Sequence, residues 1–150
     1  MAQDDEPCPN QGAPQAAHPL GVALMDNDHA RLEALIGAAA QTPEHELPAL
    51  LSQLQRELAA HFAREEDLMR AQNFPGLHCH TAQHELLLSE ARRAGAATPG
   101  SLRQTIGVHI AQLVESHVLT LDTITAAFMR GEFGPENFDN LRLPIDPVRS

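Results

Sequence analysis

One segment, HFAREEDLMRAQNFPGLHCHTAQH, constrains the fold of this 150-residue chain more than any other. Its first half carries His61 and Glu65, its second half carries His80 and His84, and each pair is four positions apart. On an α-helix, residues with that spacing are neighbours on one face. The sequence NFPG between the halves is typical of a turn. The segment therefore predicts a helical hairpin that brings three imidazoles and a carboxylate together.

The composition also favours helices. Hydrophobic residues make up 43% of the chain but aromatic residues only 3%, with no Trp and no Tyr. The core must therefore consist mainly of Leu, Ala, Ile and Val, which suits helices better than sheets. A chain of this length is typical of a single domain. We expect one all-α domain.

Charge and hydropathy limit the classes of partner. The formal net charge is −10 and all ten basic residues are Arg, without a basic stripe, so nucleic acid is not an expected partner. No apolar run approaches the roughly 18 residues of a membrane span. The acidic N-terminus does not resemble a signal peptide. We expect a cytoplasmic protein with no membrane partner, in which Cys8 and Cys79 are reduced thiols.

The chain divides into three regions by composition. Residues 1–19 are rich in Pro and polar residues and predict a flexible tail. Residues 20–130 carry the helical periodicity, and residues 131–150 predict an extended C-terminal segment. The sequence thus predicts a central bundle domain with an extension at each end.

Apolar residues recur at helical spacing in four stretches within the central region. We expect four helices, over residues 21–41, 43–72, 76–93 and 99–130. Thr42 followed by Pro43 and Thr98 followed by Pro99 are typical of an N-cap and first helical position. Short loops between amphipathic helices predict an up-down-up-down four-helix bundle.

Several polar residues fall on the apolar stripes and are predicted to point inward. A Glu buried on such a stripe is costly unless it is paired or coordinated, which makes Glu65 informative. His29 taken alone is more typical of a packed core histidine, and Asp122 is less well aligned with His117, five positions before it, than an i,i+4 pair would be. The inward set is His29, His61, Glu65, His80, His84, His117 and Asp122.

Five imidazoles and two carboxylates exceed the needs of one tetrahedral zinc ion. They suit two octahedral or five-coordinate first-row ions bridged by the carboxylates, and iron fits donors without thiolate. Other polar residues nearby are expected elsewhere. Glu66 is predicted to face solvent, His78 and Cys79 to lie at the surface or flank of their helix, and His109 to lie in a packed position or beside the ligands.

The sequence resembles the hemerythrin family over about residues 20–130. The matching motifs are MDNDHARLEAL around His29, HFAREEDLM with His61 and Glu65, FPGLHCHTAQH with His80 and His84, and SHVLTLD with His117 and Asp122. All seven ligand positions of the family are filled with the family's spacing. The resemblance implies a hemerythrin-like bundle with two non-haem iron ions joined by an oxo or hydroxo group.

The resemblance also implies a role for each ligand. His80, His84 and His117 would hold one iron, and His29 and His61 would hold the other, which keeps an open position for O2. Glu65 and Asp122 would bridge the two ions. Leu32, Phe62, Val114 and Val118 match positions that line the family's O2 pocket. Leu113 belongs to the same predicted pocket, where it replaces a Trp of many family members.

These features predict a protein that binds O2 reversibly, for storage, delivery or sensing, rather than an enzyme. Two alternatives stay open at this point. One is a di-iron enzyme or scavenger that acts on peroxide or nitric oxide at the same site. The other is a sensor module that reports its ligand state to a protein partner. The Glu-x-x-His motif of other di-iron bundles is absent from the sequence, which argues against an oxygenase or ferroxidase.

Overall fold

The computed structural model describes residues 15–96, 99–132 and 134, and the regular structure in this part of the chain is entirely helical. Four helices form the bundle: α1 (Ala23–Ala38), α2 (Leu47–Ala71), α3 (Leu77–Arg93) and α4, a continuous helix over residues 99–129. α1 packs on α2, α2 on α3, and α4 against both α1 and α3. The predicted all-α four-helix bundle is confirmed.

Parts of the predicted tails fall outside the described residues, as does Thr98. Of the N-terminal region, residues 15–19 lie along the bundle. The backbone N–H of Ala17 donates to Glu33, and the His18 ring lies 3.2 Å from Glu115. Leu20 is buried, and its N–H donates to Asp26 in the first turn of α1. This contact fixes where the chain enters the first helix.

The predicted start of the second helix at Thr42 and Pro43 is wrong. A short 3₁₀ turn, Glu44–Glu46, comes first, and α2 begins at Leu47 with Pro48 in its first turn. Deeper in a helix, Pro48 would remove a backbone hydrogen bond and clash with the preceding turn. In the first turn its missing N–H has no cost. Thr42 instead donates its hydroxyl to the carbonyl of Ala38, 2.7 Å away, beyond the end of α1.

The hairpin between α2 and α3 has the predicted tight turn. Asn73 adopts a positive φ of 56°, a conformation that Asn tolerates better than most residues. Phe74 is buried beside it and packs edge-on against Phe128 of α4, with ring centroids 5.2 Å apart. The turn therefore anchors the hairpin to the fourth helix and holds α2 and α3 in register.

α4 contains two π-helical stretches, Thr105–Ile110 and Val118–Asp122. A π-helical turn closes hydrogen bonds between residues five apart and is common at functional sites. The second stretch directly follows His117 and ends at Asp122, so it places these two residues on one face. On an α-helix this five-residue spacing would be misaligned, and the π-helical turn removes that misalignment.

The core is aliphatic, as the composition predicts. It is built from Leu, Ile, Val and Ala on the inward faces of all four helices, with Met25 and Phe62 as its larger members. Among the described residues, no helix has the length and apolar character needed to cross a membrane. The polar exceptions to this core are concentrated at one level of the bundle.

Candidate metal centre

The structure brings all seven predicted ligand residues together in the bundle interior. Every one is buried, and Glu65 and Asp122 are completely shielded from solvent. α1, α2, α3 and α4 all contribute. The side chains fall into two overlapping clusters whose donor atoms lie within 4.8 Å of one another. The three-histidine group is Glu65, His80, His84, His117 and Asp122, and the two-histidine group is His29, His61, Glu65 and Asp122.

In the three-histidine group the Nε2 atoms converge on one oxygen of each carboxylate. Glu65 Oε1 lies 2.9 Å from His84 Nε2 and 3.1 Å from His80 Nε2. Asp122 Oδ1 lies 2.9 Å from His80 Nε2 and 3.1 Å from His117 Nε2. Imidazole nitrogens and carboxylate oxygens that bind one first-row ion at about 2.1 Å and at right angles are separated by roughly 3 Å. The observed distances match that separation.

The other oxygen of each carboxylate faces the two-histidine group. Asp122 Oδ2 lies 3.0 Å from His29 Nε2, and Glu65 Oε2 lies 3.5 Å from His61 Nε2. Each carboxylate therefore divides its two oxygens between the two groups. This is the arrangement required for two ions bridged by carboxylates.

Several donor atoms at the centre of the cluster are buried without a hydrogen bond. They include Glu65 Oε2, both carboxylate oxygens of Asp122, and both ring nitrogens of His29. Buried polar atoms without a partner are costly and rare in folded proteins. His80 Nε2 and His117 Nε2 also meet at 3.1 Å, although two neutral imidazoles that face each other share only one proton. These atoms fit a bound cation better than they fit one another.

The electrostatics of the cluster favour ionised carboxylates. Burial and the charge of Asp122 raise the pKa of Glu65, but hydrogen bonds from His80 and His84 outweigh them and bring this pKa to about 2. Burial lowers the pKa of His80, but Asp122 and Glu65 outweigh it and raise that pKa to about 9. Without metal, protonated histidine thus balances the carboxylates, and metal binding would displace that proton.

Three further residues fix the outward ring nitrogens of the ligands, and the sequence pattern predicts a ligand-orienting role for none of them. His61 Nδ1 donates to Asp28 at 2.9 Å, and His84 Nδ1 donates to Glu66 at 2.7 Å. His80 Nδ1 donates to the Thr125 hydroxyl at 2.8 Å. Such contacts fix the tautomer and orientation of a metal-binding histidine and make it a stronger donor.

The prediction that Glu66 faces solvent is wrong, since its side chain is only 18% exposed and contacts His84. A signal for two of these residues was present in the sequence. Asp28 directly precedes His29, and Glu66 directly follows Glu65. A carboxylate adjacent to a ligand in sequence is rotated by about 100° around the helix, so it stands beside the ligand face rather than opposite it. Thr125 carried no comparable signal.

Beside the two-histidine group lies an apolar cavity of about 10 Å³, the size of one small molecule. Four of the five residues predicted to line an O2 pocket border it: Leu32, Phe62, Val114 and Val118. Leu113 does not. It borders a separate cavity of about 180 Å³ between α3 and α4, which also reaches the edge of His117.

The remaining histidines are not part of the cluster. His109 is exposed and lies 3.3 Å from Glu90, so the prediction that it is packed or adjacent to the ligands is wrong. His78 is exposed and Cys79 half-buried, as predicted for the surface or flank of α3. His18 and His45 lie beside surface carboxylates.

Comparison with known proteins agrees with this geometry. Residues 20–126 match the family model described as the hemerythrin HHE cation binding domain. A bacteriohemerythrin from Ralstonia nicotianae (strain ATCC BAA-1114 / GMI1000) is 30% identical over 125 residues, which cover 81% of this chain and 90% of the relative. No solved structure gave a significant match.

Proposed function

The chain belongs to the hemerythrin family, and from that premise we propose that it is a non-haem di-iron protein that binds O2 reversibly. One observation carries the proposal. Two carboxylates are shared between three imidazoles on one side and two on the other. If two first-row ions were bound, the three-histidine side would offer five protein donors and the two-histidine side four, so the two-histidine side would leave one more position for an exogenous ligand.

The apolar cavity supports the assignment of this open position to O2. Leu32, Val114 and Val118 line it with aliphatic carbon only, on the side of His29 and His61. Such walls accept a small apolar gas and exclude bulk water, which would otherwise promote oxidation of the ions. Two ferrous ions, when bound, supply the electrons that hold O2 reversibly.

The protein's part is to hold the ligands in place with Nε2 directed at the cluster. Asp28, Glu66 and Thr125 each accept the Nδ1–H of one ligand, which leaves Nε2 free to bind a cation. Phe62 stacks on His84 with ring centroids 3.9 Å apart, which restricts that imidazole to one orientation. A ligand set rich in neutral histidine donates less charge than one rich in carboxylates, which favours reversible binding over cleavage of the O–O bond.

The experiment is metal analysis combined with optical spectroscopy. The metal-free protein is loaded anaerobically with ferrous iron, exposed to O2 and then placed under vacuum. Because the chain has no Trp or Tyr, absorption bands that appear belong to the iron centre. We expect about two irons per chain and an oxygenated spectrum that disappears under vacuum and returns with O2.

Two results would overturn the proposal. Prompt conversion to the diferric form, with no recoverable oxygenated form, would exclude O2 carriage and leave peroxide or nitric oxide chemistry as the alternative. A protein that takes up zinc but no iron under anaerobic loading would exclude the di-iron assignment. A zinc-loaded sample serves as the control without absorption.

A further inference from the structure

Asp28 is linked to both histidines of the two-histidine group, to one by sequence and to the other by a hydrogen bond. It directly precedes His29 in α1, and its carboxylate accepts the Nδ1–H of His61 from α2 at 2.9 Å. The Asp28 side chain is only 3% exposed. His61 therefore presents Nε2 to the cluster and Nδ1–H to a buried carboxylate, which makes it a stronger electron donor than an imidazole bonded to a neutral group.

The same carboxylate also accepts hydrogen bonds from the guanidinium groups of two partly exposed arginines. Arg64 donates from Nε to Oδ2 and from its terminal nitrogen to Oδ1, both at 3.0 Å, in the two-pronged geometry of strong arginine–carboxylate pairs. Arg31 donates to Oδ1 as well. Arg64 is 42% exposed, so a surface side chain is linked through Asp28 to a buried ligand.

The other two orienting contacts lack this arrangement. Thr125, which accepts the hydrogen bond from His80, donates its own hydroxyl hydrogen bond to the carbonyl of Leu121 and bears no charge. Glu66, which holds His84, has Arg70 only 3.8 Å away in a single loose contact. The forked cation pair is therefore a feature of the ligand on the two-histidine side, where the open position lies.

We infer that Arg64 is a positioning residue that sets the electron-donating strength of His61 by competing for the Asp28 carboxylate. Oδ2 of Asp28 is shared between His61 Nδ1–H and Arg64 Nε–H. Charge drawn toward the guanidinium is not available to the imidazole, so Arg64 weakens the hydrogen bond that strengthens His61 as a ligand. The consequence for iron rests on the proposed function, but the hydrogen-bond competition does not.

The competition predicts opposite effects for two residues in direct contact. Replacing Arg64 with Gln lets the carboxylate form a stronger hydrogen bond with Nδ1–H. His61 then donates more electron density to the iron, and the midpoint potential of the di-iron site falls. Asp28→Asn keeps an acceptor oxygen but removes its charge, so His61 donates less and the potential rises. Opposite shifts exclude a merely structural role, but a charge acting at a distance would also produce them, so the hydrogen-bond strength itself must be measured.

The test measures two quantities. The first is the chemical shift of the His61 Nδ1 proton in the metal-free and zinc-loaded protein, which reports hydrogen-bond strength without any redox chemistry. We expect a downfield shift in Arg64→Gln and an upfield shift in Asp28→Asn. The second is the midpoint potential of the iron-loaded protein. Asp28→Asn is also expected to bind metal roughly 10- to 100-fold more weakly.

Two variants serve as controls. Arg56→Gln removes the same charge from an exposed position of the same helix, away from Asp28, and is expected to leave the His61 proton unchanged. Arg64→Lys retains the charge but not the fork and should fall between wild type and Arg64→Gln.

Equal changes in the chemical shift of the His61 Nδ1 proton in Arg64→Gln and Arg56→Gln would mean that Arg64 acts only as a surface charge, and would overturn the inference. Shifts of the same sign in Arg64→Gln and Asp28→Asn would also overturn it. Failure of the chain to take up iron would overturn the proposed function instead, while the proton shift would still test the competition.

Discussion

The two halves of the buried cluster share both carboxylates and differ in what surrounds their histidines. In the three-histidine group, imidazoles from α3 and α4 pack against one another, and ring centroids of His80, His84 and His117 are 4.6 to 5.0 Å apart. In the two-histidine group, both histidines, His29 and His61, border the small apolar cavity, whereas only His117 of the three-histidine group reaches it. The small cavity therefore lies mainly beside the two-histidine group.

If two ions bind as proposed, this difference would give them unequal tasks. A half filled by protein donors holds its ion rigidly, and a half with one donor fewer leaves a position for an exogenous ligand. The inequality arises from helix contributions, since α3 supplies two histidines by i,i+4 spacing whereas α1 and α2 supply one each. The following variants test how far the two halves are separate.

The largest effect is expected where the halves meet. Glu65→Gln replaces a bridging carboxylate by a neutral group of the same shape and should abolish binding of both ions, because each half loses a charged donor. Metal analysis after anaerobic loading measures the loss. Glu66→Gln, its neighbour, should retain both ions with roughly 10- to 100-fold lower affinity. Full metal content in Glu65→Gln would contradict the bridging role.

Removal of one histidine should affect the group that contains it more than the other group. His29→Ala is expected to abolish O2 uptake while the three-histidine group still holds an ion. His84→Ala should weaken binding of the ion in the three-histidine group. Metal analysis and O2 titration of both variants measure the asymmetry. Identical metal contents would mean that the ions bind only as a pair, and the two halves would not be independent.

A smaller effect is expected from the cavity alone. Leu32→Phe fills the space beside His29 and His61 and should reduce O2 uptake with unchanged iron content, at a packing cost of about 1–3 kcal/mol. Leu113→Phe is the matched control, because Leu113 borders the separate larger cavity. Oxygen titration and thermal unfolding check both variants. Equal loss of O2 uptake in the two would place the gas route elsewhere.

The smallest effect is expected from the orienting hydroxyl of the three-histidine group. Thr125→Val keeps the shape of the side chain but leaves the His80 Nδ1–H without an acceptor, which should destabilise the metal-free protein by about 1–3 kcal/mol. Urea unfolding measures this. Thr120→Val removes a solvent-exposed hydrogen bond from a hydroxyl to the backbone carbonyl of Ser116 and should be close to neutral. No difference between the two would show that the His80 contact contributes little.

Local spacing determined much of the site in advance. His61 with Glu65 and His80 with His84 stand on common faces because any α-helix aligns residues four apart. The burial of Glu65 on an apolar stripe pointed to coordination before any packing was known. The residues of α1 and α4 followed from the same inward-facing pattern, with His29 ambiguous until its neighbours were known.

Contacts between helices could be predicted less well from the sequence. Asp28 and Glu66 do not lie on the apolar stripes, so periodicity assigned them no inward role. Their function depends on which neighbouring helix faces them and at what distance. Leu113 was predicted beside the open position by its place in the chain, but the rotation of α4 turns it toward α3. Such assignments require the relative rotation of packed helices, which sequence periodicity does not specify.

The sequence by itself determined the fold class and the set of seven inward polar residues, because both follow from the period of the α-helix and the cost of burying charge. The tertiary structure decided the rest. It supplied the π-helical turn that aligns His117 with Asp122, the division of each carboxylate between the two groups, and the link from Arg64 through Asp28 to His61. These depend on backbone distortion and on distances between helices, which arise only when the four helices pack together.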